Sequence, residues 1–192
     1  STPSVIYALA SSPMLIFALF ALELGMVIWM SARIHKMAAT TAGILFALYA
    51  VLNGVTMSFI FLAYAMESIA TTFLITAGTF GAMTLVGYTT KKDLSALGRT
   101  LMMLLIGLII ATLVNLFVAS SGLAVILNYA GVLIFVGLTA YDTQKIKQLV
   151  EYASATGDEE QTTKLALMGS LTLYLDFINL FLYLLRIFGR RR

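Results

Sequence analysis

The stretch LTLYLDFINLFLYLLRIF, residues 171–188, sets one carboxylate, Asp176, inside a run apolar enough to lie in a bilayer. An ionisable group at that depth is expensive unless it is paired, neutralised or turned towards water, so Asp176 is a candidate functional residue. Its polar neighbours Thr172, Asn179, Tyr183 and Arg186 fall at steps of four, three, four and three, which puts all five side chains on one stripe of a helix. Such a stripe belongs on the inside of a helical bundle, away from lipid.

The rest of the chain agrees with a membrane setting. Of 192 residues, 60% are hydrophobic and only 11% charged, where a soluble domain carries about a quarter. Two prolines and scattered glycines do not produce the alternating pattern of membrane strands. The expected fold is therefore an all-α, polytopic helical membrane bundle forming a single membrane-embedded domain over residues 1–192. With no cysteine and one histidine, His35, neither disulfides nor a zinc or haem site is expected. The positive net charge of +3 fits basic loops beside a membrane and not a nucleic-acid surface.

Six segments reach the length of a span: 13–31, 42–64, 71–88, 101–119, 123–141 and 165–187. The links between them are short, which implies antiparallel neighbours. If the spans alternate, Arg33, Lys36, Lys91, Lys92, Arg99, Lys145, Lys147 and Lys164 share one side, and the opposite links carry Glu67 and no base. The basic side is then cytoplasmic. The C-terminal Gly-Arg-Arg-Arg falls on the other side, against the rule, if the last segment crosses completely.

Three carboxylates lie in or at the edge of spans: Glu23, Asp142 and Asp176. Glu23 is roughly 15 Å along its helix from Pro13, near the midplane. After Tyr141 the sequence DTQKIKQLVEYA has neither Gly nor Pro, so that helix is expected to continue, with Lys145 and Lys147 reaching back to the surface. Asp142 and Asp176 then come to similar depth on helices joined by one cytoplasmic link. Two carboxyl groups in contact in a low-dielectric seam would share a proton and so make a pH-dependent switch without histidine. Arg33, at the end of the first span, is the candidate cation to compete for the unprotonated form. The plainer alternatives are an Asp142–Lys145 pair at the interface and a structural, hydrogen-bonded Asp176. Asn53 and Asn115 are read as interhelical hydrogen-bonding residues, and Asp158, Glu159 and Glu160 as a solvated loop without the ligand spacing of an EF-hand.

GYTTKKDLS (87–95), GLTAYDTQKIK (137–147) and LTLYLDFINLFLYLLRIFG (171–189) together resemble the Bax inhibitor (transmembrane Bax inhibitor motif) family, in its bacterial inner-membrane branch. SARIHKM (31–37) and LYAVLNGVTMSFIF (48–61) fit as well, so the likeness covers essentially the whole chain. The resemblance implies a seven-span fold whose last helix is surrounded by the others, and a pH-sensitive calcium leak controlled by two aspartates. Asp142 and Asp176 match that pair. Arg33 lies in the region of a latching arginine, and Glu23 resembles an acidic residue on the same early helix that serves as pore or latch partner. A span preceding residue 13 is expected from the family, so the sequence reads as an N-terminally shortened form.

The expected function is thus a pH-sensitive calcium or cation leak in a bacterial plasma membrane, with Asp142 and Asp176 as gating pair and transient calcium ligands. No catalytic step and no cofactor is expected. The partners are the lipid bilayer and calcium, with another membrane protein as a further possibility and no nucleic acid. One rival is a non-channel regulator of stress survival or membrane-protein quality control acting by protein–protein binding. A second is a proton-coupled transporter, for which intramembrane acids are equally apt. An intramembrane aspartyl protease needs a Gly-rich catalytic loop that the last link does not offer.

Overall fold

The computed structural model describes residues 13–33 and 36–191; residues 1–12, with the short apolar run 4–10, and Ile34, His35 and Arg192 lie outside the described residues. The described chain is helical almost throughout, as α1 (Pro13–Arg33), α2 (Ala39–Met57), the single turn α3 (Ile60–Ala63), α4 (Met66–Thr89), α5 (Ser95–Val118), α6 (Ser121–Ala155) and α7 (Glu159–Phe188). α2 and α3 make one 25-residue stretch, and this stretch, α4, α5, α6 and α7 are each long and apolar enough to cross a membrane. α1 adds a 21-residue helix that opens on Pro13, which suits a first helical position because no intrahelical acceptor awaits its missing N–H.

The helices outrun the apolar segments that announce them. α6 does not stop at Tyr141 but runs on to Ala155, and α7 starts at Glu159. The expected link 142–164 therefore shrinks to residues 156–158. Gly157 takes a left-handed φ of 75°, open to glycine at little steric cost, and so ends α6. Asp158 then caps α7, its Oδ1 accepting from the Gln161 N–H at 2.8 Å. Glu159 and Glu160 occupy the first turn of α7, where negative charge meets the positive end of the helix dipole. The acidic run is a helix start and not a free loop.

α7 sits at the centre of the bundle and shares that position with α6. Leu180 and Leu184 join the α5–α6 core, Leu171 packs with Met30 and Tyr49 of α1 and α2, and Phe181 and Leu185 pack with Ile69 of α4. One helix thus supplies side chains to all three apolar clusters. Outward, the large side chains are apolar as well: Leu74, Met103, Phe117 and Leu133 are all exposed. Exposed apolar surface on this scale is what a lipid solvent requires.

The end of α7 settles on which side the arginine tail lies. The Ala65 N–H donates to Arg190 O at 3.0 Å, Tyr64 and Arg191 form an antiparallel bridge, and the Arg190 N–H donates to Ser68 Oγ at 3.1 Å. α7 therefore runs the full height of the bundle, and its tail is clasped to the α3–α4 link, opposite the basic links.

Candidate functional site

Asp142 and Asp176 meet in the α6–α7 seam. On α6 the residues Phe135, Leu138, Thr139, Asp142 and Thr143 turn inward; on α7 Gly169, Asp176, Leu180 and Leu184 do so. The helices approach closely beside the pair because Gly169 offers no side chain: a Cβ there would lie 2.5 Å from Ile146 Cγ2. Asp142 is 7% exposed and Asp176 5% exposed. Their carboxyl groups interact directly across the seam.

Little else in the seam serves these carboxyl groups. The Thr139 and Thr143 hydroxyls donate to Phe135 O at 2.7 Å and Thr139 O at 2.6 Å, so their protons are committed to the α6 backbone. Asp176 Oδ2 has no hydrogen-bond partner among the described residues. Lys145 lies near enough to act on Asp142 through its charge, but the two form no salt bridge; its ammonium stands 5.8 Å from the Tyr141 ring centre. A buried carboxylate pair so placed is left with three ways to relieve its repulsion: take up a proton, separate, or admit a cation.

The rest of the α7 stripe is placed differently from a continuous polar lining. Thr172 Oγ1 donates to Met168 O at 3.0 Å and Asn179 Nδ2 to Leu175 O at 2.8 Å, both within α7. Tyr183 stacks on Phe135 with ring centres 5.8 Å apart, and the exposed Arg186 places its guanidinium 5.2 Å from the Tyr183 ring centre. The stripe faces the bundle from Thr172 to Tyr183 and leaves it at the exposed Arg186, and around Asp176 its members bond to their own helix or to aromatic rings.

Glu23 and Arg33 are not brought to the pair. Glu23 is 6% exposed and accepts hydrogen bonds from Thr56 Oγ1 at 2.5 Å and Asn53 Nδ2 at 3.2 Å. Asn53 Oδ1 in turn accepts from the Tyr174 hydroxyl at 2.9 Å, so a second buried network joins α1, α2 and α7. Arg33 is exposed at the end of α1 and makes no salt bridge among the described residues; the latch contact expected of it is absent from this arrangement. Asn115 makes no hydrogen bond across the middle of the bundle among the described residues. Its Oδ1 accepts from the Ser120 N–H at 3.1 Å and closes the α5–α6 turn.

Thr56 and Tyr174 are participants that sequence reasoning missed. Tyr49, Asn53 and Thr56 follow at steps of four and three and are all buried, so α2 carries a polar stripe of the same kind as α7. That spacing was available in the sequence. Gln144, buried on the basic side and bonded to the α4–α5 link, left no such periodic signal. Among the described residues no three His, Cys, Asp or Glu side chains gather as a metal site.

Long apolar helices packed antiparallel, with an apolar exterior along the spans and three carboxyl groups, Glu23, Asp142 and Asp176, buried between them, define a polytopic integral membrane protein. The chain belongs to the Bax inhibitor family: the family model described as "Inhibitor of apoptosis-promoting Bax1" matches residues 2–192. It is 50% identical to the inner membrane protein YbhL of Escherichia coli K12 over 192 residues, which is all of this chain and 82% of that protein. An uncharacterized protein of Borreliella burgdorferi is 48% identical over 182 residues, 95% of this chain and 78% of the relative. An uncharacterized membrane protein of Streptococcus pyogenes is 40% identical over 187 residues, 97% and 80% of the two chains. These relatives and the apolar helices place the chain in a bacterial inner membrane.

Proposed function

We propose that this protein is a pH-sensitive leak for calcium or a similar cation, gated by Asp142 and Asp176. The observation that carries the reading is the meeting of two buried carboxyl groups that have no salt-bridged cation among the described residues, while the Thr139 and Thr143 hydroxyls beside them are turned to the α6 backbone. With one proton between them the carboxyl groups hold each other and keep α6 and α7 together. Without it, two negative charges repel across the seam and attract a cation, and hard carboxylate oxygens suit calcium. Two carboxylates are too few to complete a calcium shell, so the ion would be held briefly and passed on. Arg33, exposed at the end of α1, makes no salt bridge to either aspartate in this arrangement. The mechanism is a small electrostatic change acting on two packed helices, and it requires no catalytic residue or cofactor.

Calcium flux into liposomes, measured from about pH 5 to about pH 8 for the parent and for Asp142→Asn and Asp176→Asn, tests the reading. The expected result is a pH-dependent flux in the parent and a displaced or flattened profile in both variants. Folded protein that passes no calcium, or a flux indifferent to both changes, would sink the leak and favour a regulator that acts by binding another membrane protein.

A further inference from the structure

The motifs GYTTKKDLS (87–95) and GLTAYDTQKIK (137–147) are tied together by one side chain. Gln144 is 7% exposed and uses both ends of its amide. Its Oε1 accepts from the Leu94 N–H at 2.9 Å, and its Nε2 donates to Lys92 O at 2.9 Å and Thr90 O at 3.4 Å. All three partners are backbone groups of the link between α4 and α5. Thr90 O and the Leu94 N–H are cap groups of α4 and α5 and Lys92 O lies between them, so none of the three has an intrahelical partner.

The fastening extends to either side of Gln144. Lys147 Nζ donates to Tyr88 O at 3.1 Å and lies 4.4 Å from the Tyr88 ring centre. Gly87 lets α4 meet the α6 backbone, since a Cβ there would stand 2.2 Å from Ala140 O. Gly98 makes room on α5 for the Tyr141 ring of α6, from which a Cβ would stand 2.4 Å. Contacts to Ala140, Tyr141, Gln144 and Lys147 thus bracket Asp142. A polar cavity of about 230 Å³ opens under the link, lined in part by Tyr88, Thr90, Lys91, Asp93, Lys147 and Glu151.

We propose that Gln144 is a positioning residue for Asp142. It ties the 90–94 link to the turn of α6 that carries the carboxyl group, so a displacement of either is felt by the other. α6 is continuous through this region, so Asp142 and Gln144 move as parts of one turn. Moving the link away would leave both ends of a buried amide unpaired, which makes the joined arrangement strongly preferred. The consequence for gating rests on the leak reading; the mechanical coupling does not.

The test uses the absence of cysteine from the sequence. Lys91→Cys places a single thiol on the exposed link, and its maleimide labelling rate is measured in liposomes with and without Asp142→Asn, in the parent and in Gln144→Leu backgrounds. Asp142→Asn is expected to change the rate severalfold when Gln144 is present and to leave it unchanged in Gln144→Leu. Gln144→Glu keeps the acceptor and loses the donors, so it should fall between the two. It also carries the test if Gln144→Leu does not fold. A labelling rate indifferent to Asp142→Asn, or changed equally in every background, overturns the proposal. Calcium flux in the same vesicles separates the two ideas. Coupled labelling without flux supports the positioning role and removes the leak, whereas flux with uncoupled labelling overturns the positioning role and keeps the leak.

Discussion

Asp93 accepts a hydrogen bond from the Ser95 N–H at 2.9 Å at the start of α5. Its carboxyl group is held below its ordinary value of 3.8 by the Ser95 hydroxyl first, then by the Ser95 N–H, with a smaller contribution from the Arg99 charge. Because the folded value is the lower one, the stabilisation is present above pH 3.8 and is lost as pH falls through the folded value. Asp93→Ala should therefore melt at lower temperature than the parent near neutral pH, and the gap should narrow in acid. Thermal unfolding in detergent at both ends of that range checks this; a gap independent of pH would show that the charge is not involved. This residue was legible only as part of a motif, because its role depends on a turn and not on a span. Asp176 differs in this respect: an isolated acid in an apolar run already marks a site.

At the scale of elements, the Glu23–Asn53–Tyr174 network decides how α1 and α2 attach to α7. Asn53 donates to Glu23 and accepts from Tyr174, so Asn53→Leu breaks both links and leaves Glu23 with Thr56 alone. Its expected cost is about 1–2 kcal/mol, the scale of interhelical hydrogen bonds in membranes. Tyr174→Phe, which removes one bond, should cost less. Melting of both variants in one detergent checks the order, and equal stability of Asn53→Leu and the parent would remove the network as a source of cohesion. The apolar middle of each helix could be read from hydropathy, but the ends could not. Hydropathy ends where the bilayer ends, whereas α6 and α7 continue beyond it on helix-compatible polar residues until Gly157 and Asp158 intervene.

For the molecule as a whole, the clasp between residues 64–65 and 190–191 puts the arginine tail opposite the basic links. In sealed, oriented vesicles, single thiols from Lys91→Cys and Arg191→Cys should thus be labelled from opposite sides by an impermeant reagent. Labelling from the same side would overturn the crossing of α7. Charge counting left the side of this tail undecided because its arginines oppose the majority of bases; the backbone contacts at Ala65 decide it. Composition and pattern along the chain are enough for the lipid setting, the class of fold, the apolar middles of the spans and the two candidate aspartates, because burial of charge in lipid is so costly that exceptions stand out along one dimension. The pairing of Glu23 with Asn53 and Thr56, the separation of Arg33 from the aspartates, and the grip of Gln144 on a link fifty residues away emerge only when the helices pack. Those outcomes depend on the rotation and depth of each helix against its neighbours, and contacts between distant segments leave no periodic trace in either strand of sequence.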